Sequence, residues 1–230
     1  MKLLIVIPAY NESMNIERVV DHLTHNFPQY DYVVVNDGSR DDTAAICRKR
    51  GYTLIDLPIN LGLSGAVQAG MRYAVRERYD AVLQMDGDGQ HRPEYIAVLQ
   101  KTMEESGAEI VIGSRFVTEK KPHTMRMMGS NLISAIIKIS TGKRIMDPTS
   151  GMRLFGRDIV KEFAYDMNYG PEPDTISYLL KQGVKVEEVQ VTMDERIAGE
   201  SYLNLVRSVK YMMLQCFSIV FIQRFRKGIK

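Results

Sequence analysis

Two aspartates separated by one glycine, Asp86-Gly87-Asp88, follow a run of apolar residues and come just before Gln90. Mg²⁺ and Mn²⁺ prefer oxygen ligands of this kind and share them with the phosphate groups of a substrate. A cation held there would offset negative charge on a phosphate leaving group. Acidic turns after strands are common and are usually only solvated, so the tripeptide alone is weak evidence for a metal site.

Asp37 lies in a second polar segment, Asn36-Asp37-Gly38-Ser39, after another apolar run. A carboxylate at this point can accept hydrogen bonds from a nucleoside base or ribose. It can also cap the following helix, because the segment and the two aspartates after it are good capping chemistry. The chain has neither a G-x-G-x-x-G after its first apolar run nor a G-x-x-x-x-G-K-[ST] motif. These absences argue against a dinucleotide oxidoreductase and a P-loop NTPase.

Short apolar runs alternate with amphipathic stretches over the first hundred or so residues, which is typical of β-α-β units. The predicted fold class is therefore α/β with a mainly parallel sheet. Strands are predicted at 3–7, 32–35, 52–57, 81–85, 109–112 and 184–191, and a turn followed by a strand within 147–156. Helices are predicted at 13–26, 42–50, 64–78, 93–105, 125–140, 158–164 and 172–182. Ligands bind at the carboxyl ends of strands in such sheets, so the polar loops after the first, second and fourth strands should converge on one site.

The composition is that of an ordinary folded chain. Of its 230 residues 45% are hydrophobic and 25% charged, so one large domain is expected and wholesale disorder is excluded. Cys47 and Cys216 lie far apart without metal-ligand spacing, which excludes a disulfide scaffold or zinc finger and indicates a reducing cytoplasm. The first apolar run is too short for a secretory signal and predicts a strand.

The last part of the chain differs from the rest in charge and hydropathy. Residues 196–230 contain seven Lys or Arg against one Asp or Glu, whereas residues 1–195 contain 23 against 27. An apolar stretch at 211–222 lies between these cations, and as a helix it would be about 18 Å long, short of the roughly 30 Å needed to span a bilayer. The pattern favours a basic helix in a membrane interface over nucleic-acid binding. A buried or oligomer-forming helix is the alternative.

Several motifs, in this order and spacing, carry a likeness to a known family: 8–12 (PAYNE), 35–43 (VNDGSRDDT), 60–62 (NLG), 85–91 (MDGDGQH) and 113–115 (GSR). Over about residues 1–205 the chain resembles the family 2 inverting glycosyltransferases, in particular the dolichyl- and polyprenyl-phosphate sugar synthase branch. The resemblance implies a Rossmann-like glycosyltransferase A fold, with a mixed, mostly parallel sheet flanked by helices. Residues 1–200 would form the catalytic domain and residues 201–230 a basic amphipathic helix that binds the membrane interface or a partner.

The same resemblance implies roles for individual residues. The residues expected to contact the nucleotide sugar are Pro8, Ala9, Tyr10, Glu12, Asp37, Asp86, Gly87 and Arg196. Those expected to hold Mg²⁺ or Mn²⁺ are Asp86, Asp88 and Gln90. Arg115 and Arg126 would bind the acceptor phosphate, which suits the guanidinium fork. The expected catalytic set is Asp88, Arg115, Arg126 and Asp147.

The implied reaction is the metal-dependent, inverting transfer of a hexose or N-acetylhexosamine from a nucleotide sugar to polyprenyl phosphate, such as undecaprenyl phosphate. UDP is favoured over GDP, and the product would be a lipid-linked sugar donor for cell-envelope glycans. A phosphate oxygen is already anionic near neutral pH, so it needs no strong general base. One alternative is a glycan hydroxyl acceptor, which needs a base at Asp147, Glu172 or Asp174. The other is a non-catalytic, nucleotide-sugar-binding membrane scaffold.

Three further expectations concern surroundings and partners. His91 should pack or cap behind the segment Asp86-Gly87-Asp88 rather than bind the metal. Residues 116–124 should form a surface loop. The expected location is the cytoplasmic face of the cell membrane, with peripheral or interfacial attachment. Relatives in the branch usually carry more transmembrane helices, so we hypothesise a small membrane-protein partner or a homo-oligomer.

Overall fold

The computed structural model describes residues 1–122, 124–165, 170–195 and 205–225. The strands are β1 (Leu3–Ala9), β2 (Asp31–Asp37), β3 (Leu54–Leu57), β4 (Ala81–Gln84), β5 (Ile110–Ser114), β6 (Arg153–Gly156) and β7 (Val186–Gln190). The helices are α1 (Ile16–Asn26), α2 (Thr43–Arg50), α3 (Gly62–Arg76), α4 (Ile96–Ser106), α5 (Met125–Thr141), α6 (Arg157–Tyr165), α7 (Pro173–Lys181) and α8 (Leu205–Val220). Two 3₁₀ turns are present at Pro93–Tyr95 and Ile222–Phe225.

The strands form a seven-stranded sheet in the order β3-β2-β1-β4-β6-β5-β7. Strand β6 runs antiparallel to β4 and β5, and the other neighbouring pairs are parallel. The predicted mixed, mostly parallel α/β sheet is therefore confirmed. Strands β1 and β4 pair side by side, and the chain continues outward from them in opposite directions across the sheet. This reversal creates the crevice in which open α/β sheets bind ligands.

Helices cover both faces of the sheet and bury a separate apolar core on each. One core joins alternate residues of the strands, such as Val6, to helices α3, α5, α6, α7 and α8. The other joins the intervening residues, such as Ile7, to α1, α2 and α4. All seven residues of β1 are buried. This explains why a parallel strand covered on both faces reads as a continuous apolar run rather than an alternating one.

The predicted elements are present with small shifts at their ends. The largest differences are at residues 93–95, which form a 3₁₀ turn rather than the first turn of an α-helix, and at residues 13–15, which precede α1 instead of opening it. Pro93 suits the start of either kind of helix because its missing N–H would be unpaired in both. The boundary between the two kinds of turn is therefore not encoded in the proline itself.

Helix α8 packs against α5 and α7. Ile219 is fully buried in the core, whereas Leu214 and Phe217 are more than half exposed. The two helices meet closely at Gly129, where a Cβ would stand 1.4 Å from Met212 Sδ and would displace the Met212 side chain. Helix α8 is thus docked on α5 and α7. The role of residues 201–230 as a basic amphipathic segment stays a prediction, and residues 201–204 and 226–230 of it lie outside the described residues. No helix in the described ranges combines the length and hydropathy needed to cross a bilayer.

Candidate active site

The loops after β1 and β2 are tied directly to each other. The Asn11 N–H donates to Ser39 Oγ at 2.9 Å, and the Arg40 N–H donates to Asn11 Oδ1 at 2.8 Å. Asn11 has a φ of +55°, a left-handed conformation that asparagine tolerates better than most residues. The Glu12 N–H donates to Thr43 Oγ1 at 2.9 Å. These bonds hold the segment 8–12 beside Asp37, as the convergence of the loops predicted.

Asp37 is buried where β2 ends and binds the start of α3. Its Oδ1 accepts the Leu61 N–H at 2.7 Å. The next residue, Gly38, has a φ of +61°, and a Cβ there would lie 2.5 Å from the Ile59 carbonyl carbon. The first-turn amide of α2 is bound instead by Asp41, whose Oδ1 accepts the Thr43 N–H at 3.0 Å. The interpretation of Asp37 as the cap of the next helix is therefore wrong, and its carboxylate joins two loops of the site.

The segment Asp86-Gly87-Asp88, here called the metal loop, follows β4 and touches the end of β1. The Gly87 N–H donates to the Pro8 carbonyl at 3.2 Å. A Cβ on Gly87 would lie 3.4 Å from the Ala9 Cβ, so the two loops are in van der Waals contact. Pro8 and Ala9 therefore lie directly beside the metal loop, and their contact with a nucleotide sugar stays a prediction.

His91 lies behind the metal loop, as expected. Its side chain is almost fully buried, and its Nδ1 accepts the Asp86 N–H at 2.9 Å. Because Nδ1 is the acceptor, Nε2 carries the proton of the neutral ring, 3.9 Å from Asp86 Oδ2. The imidazole thus fixes the backbone of the metal loop at Asp86.

The metal loop fits a divalent cation that is shared with a substrate. Within the described ranges, no group of three or more His, Cys, Asp or Glu side chains is placed to complete a metal site. Two carboxylates with further ligands from phosphate and water are the usual arrangement for Mg²⁺ at nucleotide sites. Space at Asp86 is preserved by Gly151, where a Cβ would stand 2.5 Å from Asp86 Oδ2.

Gln90 binds the segment that leads out of β7. Its backbone N–H donates to Asp88 Oδ1 at 3.0 Å, and its Nε2 donates to the Asp194 carbonyl at 3.3 Å. The Asp194 N–H in turn donates to the Gln90 carbonyl at 2.9 Å. Gln90 therefore anchors the chain just before Arg196, and its own Oε1 is the atom left to act as the predicted ligand. Arg196 itself lies outside the described residues.

Arg115 and Asp147 form an ion pair at the carboxyl end of β5. The Arg115 side chain donates to both carboxylate oxygens of Asp147, at 2.7 Å and 2.9 Å, and its backbone N–H donates to Oδ2 at 3.2 Å. Glu188 accepts the backbone N–H of Asp147 at 2.9 Å. Burial alone would raise the pKa of Asp147, but hydrogen bonds and charge from Arg115 outweigh it and hold the pKa below its usual value. Asp147 is therefore a weak base that orients Arg115.

Lys121 is a cation of this site that the sequence did not single out. Its Nζ donates to Ser130 Oγ at 2.9 Å and lies 5.4 Å from the centre of the Phe116 ring. The Arg115 guanidinium lies 5.2 Å from the centre of the same ring. Burial lowers the pKa of Lys121, whereas the negative charge of Asp147 opposes that shift. The expected surface loop thus carries a half-buried amino group beside Arg115.

The remaining predicted phosphate ligand, Arg126, is the second residue of α5. Its backbone lies four residues before Ser130, the partner of Lys121, while its side chain lies outside the described part of the chain. The described link between the start of α5 and this site is the hydrogen bond from Lys121 to Ser130.

Glu172 and Asp174 flank the start of α7 and have different surroundings. Glu172 Oε2 accepts a hydrogen bond from the Tyr211 hydroxyl of α8. Burial raises the pKa of Glu172, whereas that hydrogen bond and the charge of Arg153 lower it. Asp174 Oδ2 accepts the Ser218 hydroxyl at 2.6 Å, which commits this carboxylate to the docking of α8. Both carboxylates are thus bound to α8, and they differ in burial, since Asp174 is buried and Glu172 is partly exposed.

Comparisons with known proteins agree with this geometry. Residues 4–163 match the model of glycosyl transferase family 2. The chain is 30% identical over 214 residues to polyprenol monophosphomannose synthase of Mycolicibacterium smegmatis, with 87% of this chain and 80% of that protein covered. It is 31% identical over 216 residues to undecaprenyl-phosphate mannosyltransferase of Micrococcus luteus, with 89% of this chain and 88% of that protein covered.

A solved structure shows the same fold at lower identity. Glucosyl-3-phosphoglycerate synthase of Mycobacterium tuberculosis, in complex with Mn²⁺, UDP and phosphoglyceric acid, has a TM-score of 0.71 and 17% identity to this chain. The match covers 96% of this chain and 78% of that one. The mixed sheet described above is therefore the arrangement found in a solved glycosyltransferase.

Proposed function

This chain belongs to glycosyl transferase family 2, and from that premise we propose that it transfers a hexose or N-acetylhexosamine from a nucleoside-diphosphate sugar to polyprenyl phosphate. The two relatives compared above are named for transfer to polyprenol or undecaprenyl phosphate, and both names specify mannose. The solved structure with a similar fold was obtained with UDP and Mn²⁺. We therefore favour UDP as the nucleotide of the donor and keep GDP-sugars in the test.

One observation carries the choice of a lipid phosphate as acceptor. A groove of about 440 Å³ runs between α5 and α8 with an almost entirely apolar lining that includes Gly129, Leu132 and Phe217. Gly129 of its lining is followed in α5 by Ser130, which binds the amino group of Lys121. An apolar groove whose lining adjoins the partner of a cation suits a molecule with an anionic head and a hydrocarbon tail.

The proposed chemistry is an in-line displacement at the anomeric carbon of the sugar. Arg115 and Lys121 bind the acceptor phosphate and aim one of its oxygens at that carbon. The bond between the anomeric carbon and the diphosphate breaks as the new bond forms, which inverts the configuration. Asp86 and Asp88, with Gln90, would hold Mg²⁺ or Mn²⁺, which offsets the charge on the departing diphosphate.

The donor is proposed to lie across the carboxyl ends of β1, β2 and β4. The nucleoside would contact residues 8–12 and Asp37, which the hydrogen bonds between the first two loops hold together. The anchored chain before Arg196 would bring that residue toward the diphosphate. Because these groups are fixed by the fold, positioning and electrostatics supply the rate without a strong base.

A hydroxyl acceptor is the second candidate, and Glu172 is the observation that favours it. Its carboxylate is partly exposed, and burial raises its pKa toward the range in which a general base works. Asp147 does not qualify, because its pKa is lowered and both of its oxygens bind Arg115. The two candidates are separated by assaying Glu172→Gln at saturating nucleotide sugar with each kind of acceptor. The hydroxyl mechanism predicts loss of transfer to a hydroxyl acceptor, whereas the phosphate mechanism predicts that transfer to polyprenyl phosphate is retained.

We further propose that the catalytic domain, residues 1–200, is held at the cytoplasmic face of the membrane by the segment 201–230. Leu214, Phe217 and Phe221 project from the side of α8 and the turn after it, all more than half exposed. Exposed apolar side chains on a helix flanked by cations suit an anionic lipid surface. Cys47 and Cys216 are free thiols, in agreement with a reducing compartment.

A transfer assay tests the proposed function. Labelled UDP- and GDP-sugars are incubated with Mn²⁺ and short-chain polyprenyl phosphate, and label is followed into the organic phase. We expect transfer from one donor, its loss in Asp88→Ala, and its retention in Asp158→Ala, which removes an exposed carboxylate on α6. Equal transfer by wild type and Asp88→Ala would refute the metal-loop mechanism, and absence of any transfer with intact nucleotide binding would favour the scaffold.

A further inference from the structure

Three polar residues, Gln84, Arg153 and Glu172, here called the polar cluster, lie between the metal loop and the C-terminal helix. Gln84 Nε2 in β4 donates to Asp86 Oδ1 at 3.2 Å. Gln84 lies opposite Arg153 of β6 in the antiparallel pairing. The Arg153 guanidinium donates to the Pro148 carbonyl at 2.7 Å and to the Pro171 carbonyl. Arg153 therefore braces the two segments that carry Asp147 and Glu172.

The buried groups of the polar cluster need a compensating negative charge. Gln84 and Arg153 are 1% and 2% exposed. Among the described residues, Gln84 Oε1 and Arg153 Nε have no hydrogen-bond partner, although one is an acceptor and the other a donor on paired strands. A buried guanidinium is costly unless an anion lies nearby. The negative charge of Glu172 acts on Arg153, as does that of Asp86, in opposition to the loss of hydration.

Tyr211 sets the position of the Glu172 carboxylate. Its hydroxyl donates to Glu172 Oε2, and Tyr211 is held where it is by the packing of α8 on α7. A second hydroxyl of α8, that of Ser218, binds Asp174 and not Glu172. Helix α8 thus donates two hydroxyl hydrogen bonds to carboxylates at the start of α7, and only the one from Tyr211 reaches the polar cluster.

From this arrangement we infer that Tyr211 is a positioning residue for the donor site. It holds Glu172 next to Pro171, whose carbonyl binds Arg153, and Arg153 lies opposite Gln84, which donates to Asp86 of the metal loop. The inference rests on the proposed function, because it takes the metal loop to bind the diphosphate of the donor. Met212 and Met213, which follow Tyr211, line the apolar groove. The same helix therefore forms the groove proposed for the lipid acceptor and completes the site of the nucleotide sugar.

Nucleotide binding without turnover tests this role. Wild type, Tyr211→Phe and Ser218→Ala are titrated calorimetrically with UDP and, in parallel, with GDP at saturating Mn²⁺. We expect Tyr211→Phe to weaken binding of the nucleotide that wild type prefers roughly tenfold, the size of one lost hydrogen bond to a charged group. Ser218→Ala removes an equivalent contact of α8 that does not involve the polar cluster. We expect the nucleotide affinity of this variant to stay within about twofold of wild type.

A double variant shows whether Tyr211 acts through Glu172. Glu172→Gln keeps an acceptor for the hydroxyl but removes the charge beside Arg153, so it should weaken binding by itself. Adding Tyr211→Phe should then reduce nucleotide affinity less than it does in wild type, because Tyr211 acts through Glu172. Should Tyr211→Phe fail to fold, Glu172→Gln alone carries the test, with weaker binding expected and unchanged affinity overturning the inference.

Two results would overturn the positioning role in different ways. Equal losses in Tyr211→Phe and Ser218→Ala would show that α8 only needs to be docked, and unchanged binding in Tyr211→Phe would show that Tyr211 does not act on the donor site. If neither nucleotide binds the wild type, the donor site of the proposed function is wrong and the inference falls with it. The three patterns are distinct.

Discussion

The ion pair of Arg115 and Asp147 predicts an asymmetry in stability. The Arg115 side chain is 24% exposed, whereas that of Asp147 is fully buried. Arg115→Met leaves a buried carboxylate without its partner, which costs about 3–5 kcal/mol of unfolding free energy. Asp147→Asn leaves a guanidinium that can reach solvent and keeps part of the hydrogen bonding, so it should cost only about 1–3 kcal/mol. Removing the exposed partner is therefore predicted to be the more harmful change.

The pH dependence of stability gives a second, independent test of this ion pair. The pKa of Asp147 is lowered in the folded protein. Its contribution to the free energy of unfolding is therefore fully present above the unfolded pKa of about 3.9 and is lost as the pH falls through the folded pKa. Without Arg115, burial would raise that pKa, and the cost of the charge would be relieved as the pH falls through the raised value. The difference in unfolding free energy between wild type and Arg115→Met should therefore become smaller from pH 8 to pH 5.

Urea unfolding at both pH values measures these quantities, with the slope m checked for constancy. At about 2–4 °C per kcal/mol for a chain of this size, Arg115→Met should lower the melting temperature by roughly 6–20 °C. The reasoning would be refuted if Asp147→Asn cost as much as Arg115→Met, or if the gap did not change with pH.

Three further predictions concern the metal loop, the acceptor site and the membrane. Gly151→Ala places a Cβ 2.5 Å from Asp86 Oδ2 and should slow transfer roughly 10- to 100-fold with a raised requirement for Mn²⁺, measured as initial rates. Lys121→Met should raise the half-saturating concentration of polyprenyl phosphate roughly tenfold without altering nucleotide affinity, whereas the exposed neighbour Lys120 can be changed to Met without this effect. Phe217→Glu should reduce flotation with anionic liposomes about tenfold or more, as expected for one aromatic side chain withdrawn from lipid; unchanged flotation would point to a protein partner or a second copy of the chain.

The first half of the fold follows closely from the sequence because its signals are local. Parallel strands covered on both faces appear as apolar runs, and the polar turns after them mark the carboxyl edge of the sheet. This explains why the segment 8–12, Asp37 and the metal loop were expected to converge. The antiparallel insertion of β6 had no comparable local signal, since its four residues Arg153–Gly156 pair with strands far away in the chain.

The far side of the site depends on contacts that no local pattern encodes. Lys121 becomes part of the site only because Ser130 and Phe116 lie beside it in the folded chain. Glu172 meets Tyr211 across 39 positions of sequence. The composition of the tail favours a helix in the membrane interface, with a buried or oligomer-forming helix as the alternative. It does not encode the close approach of Met212 in α8 to Gly129 in α5.

The acceptor class is the central claim, and a direct comparison of two lipids tests it. Wild-type protein is given the preferred nucleotide sugar with either a polyprenyl phosphate or the polyprenol of the same chain length, and products are identified by mass spectrometry. The apolar groove can hold either tail, but only the phosphate can be bound by Arg115 and Lys121 and attack without a base. The account predicts a glycosyl phosphate lipid from the first acceptor and no product from the second. Glycosylation of the polyprenol at a comparable rate would contradict it.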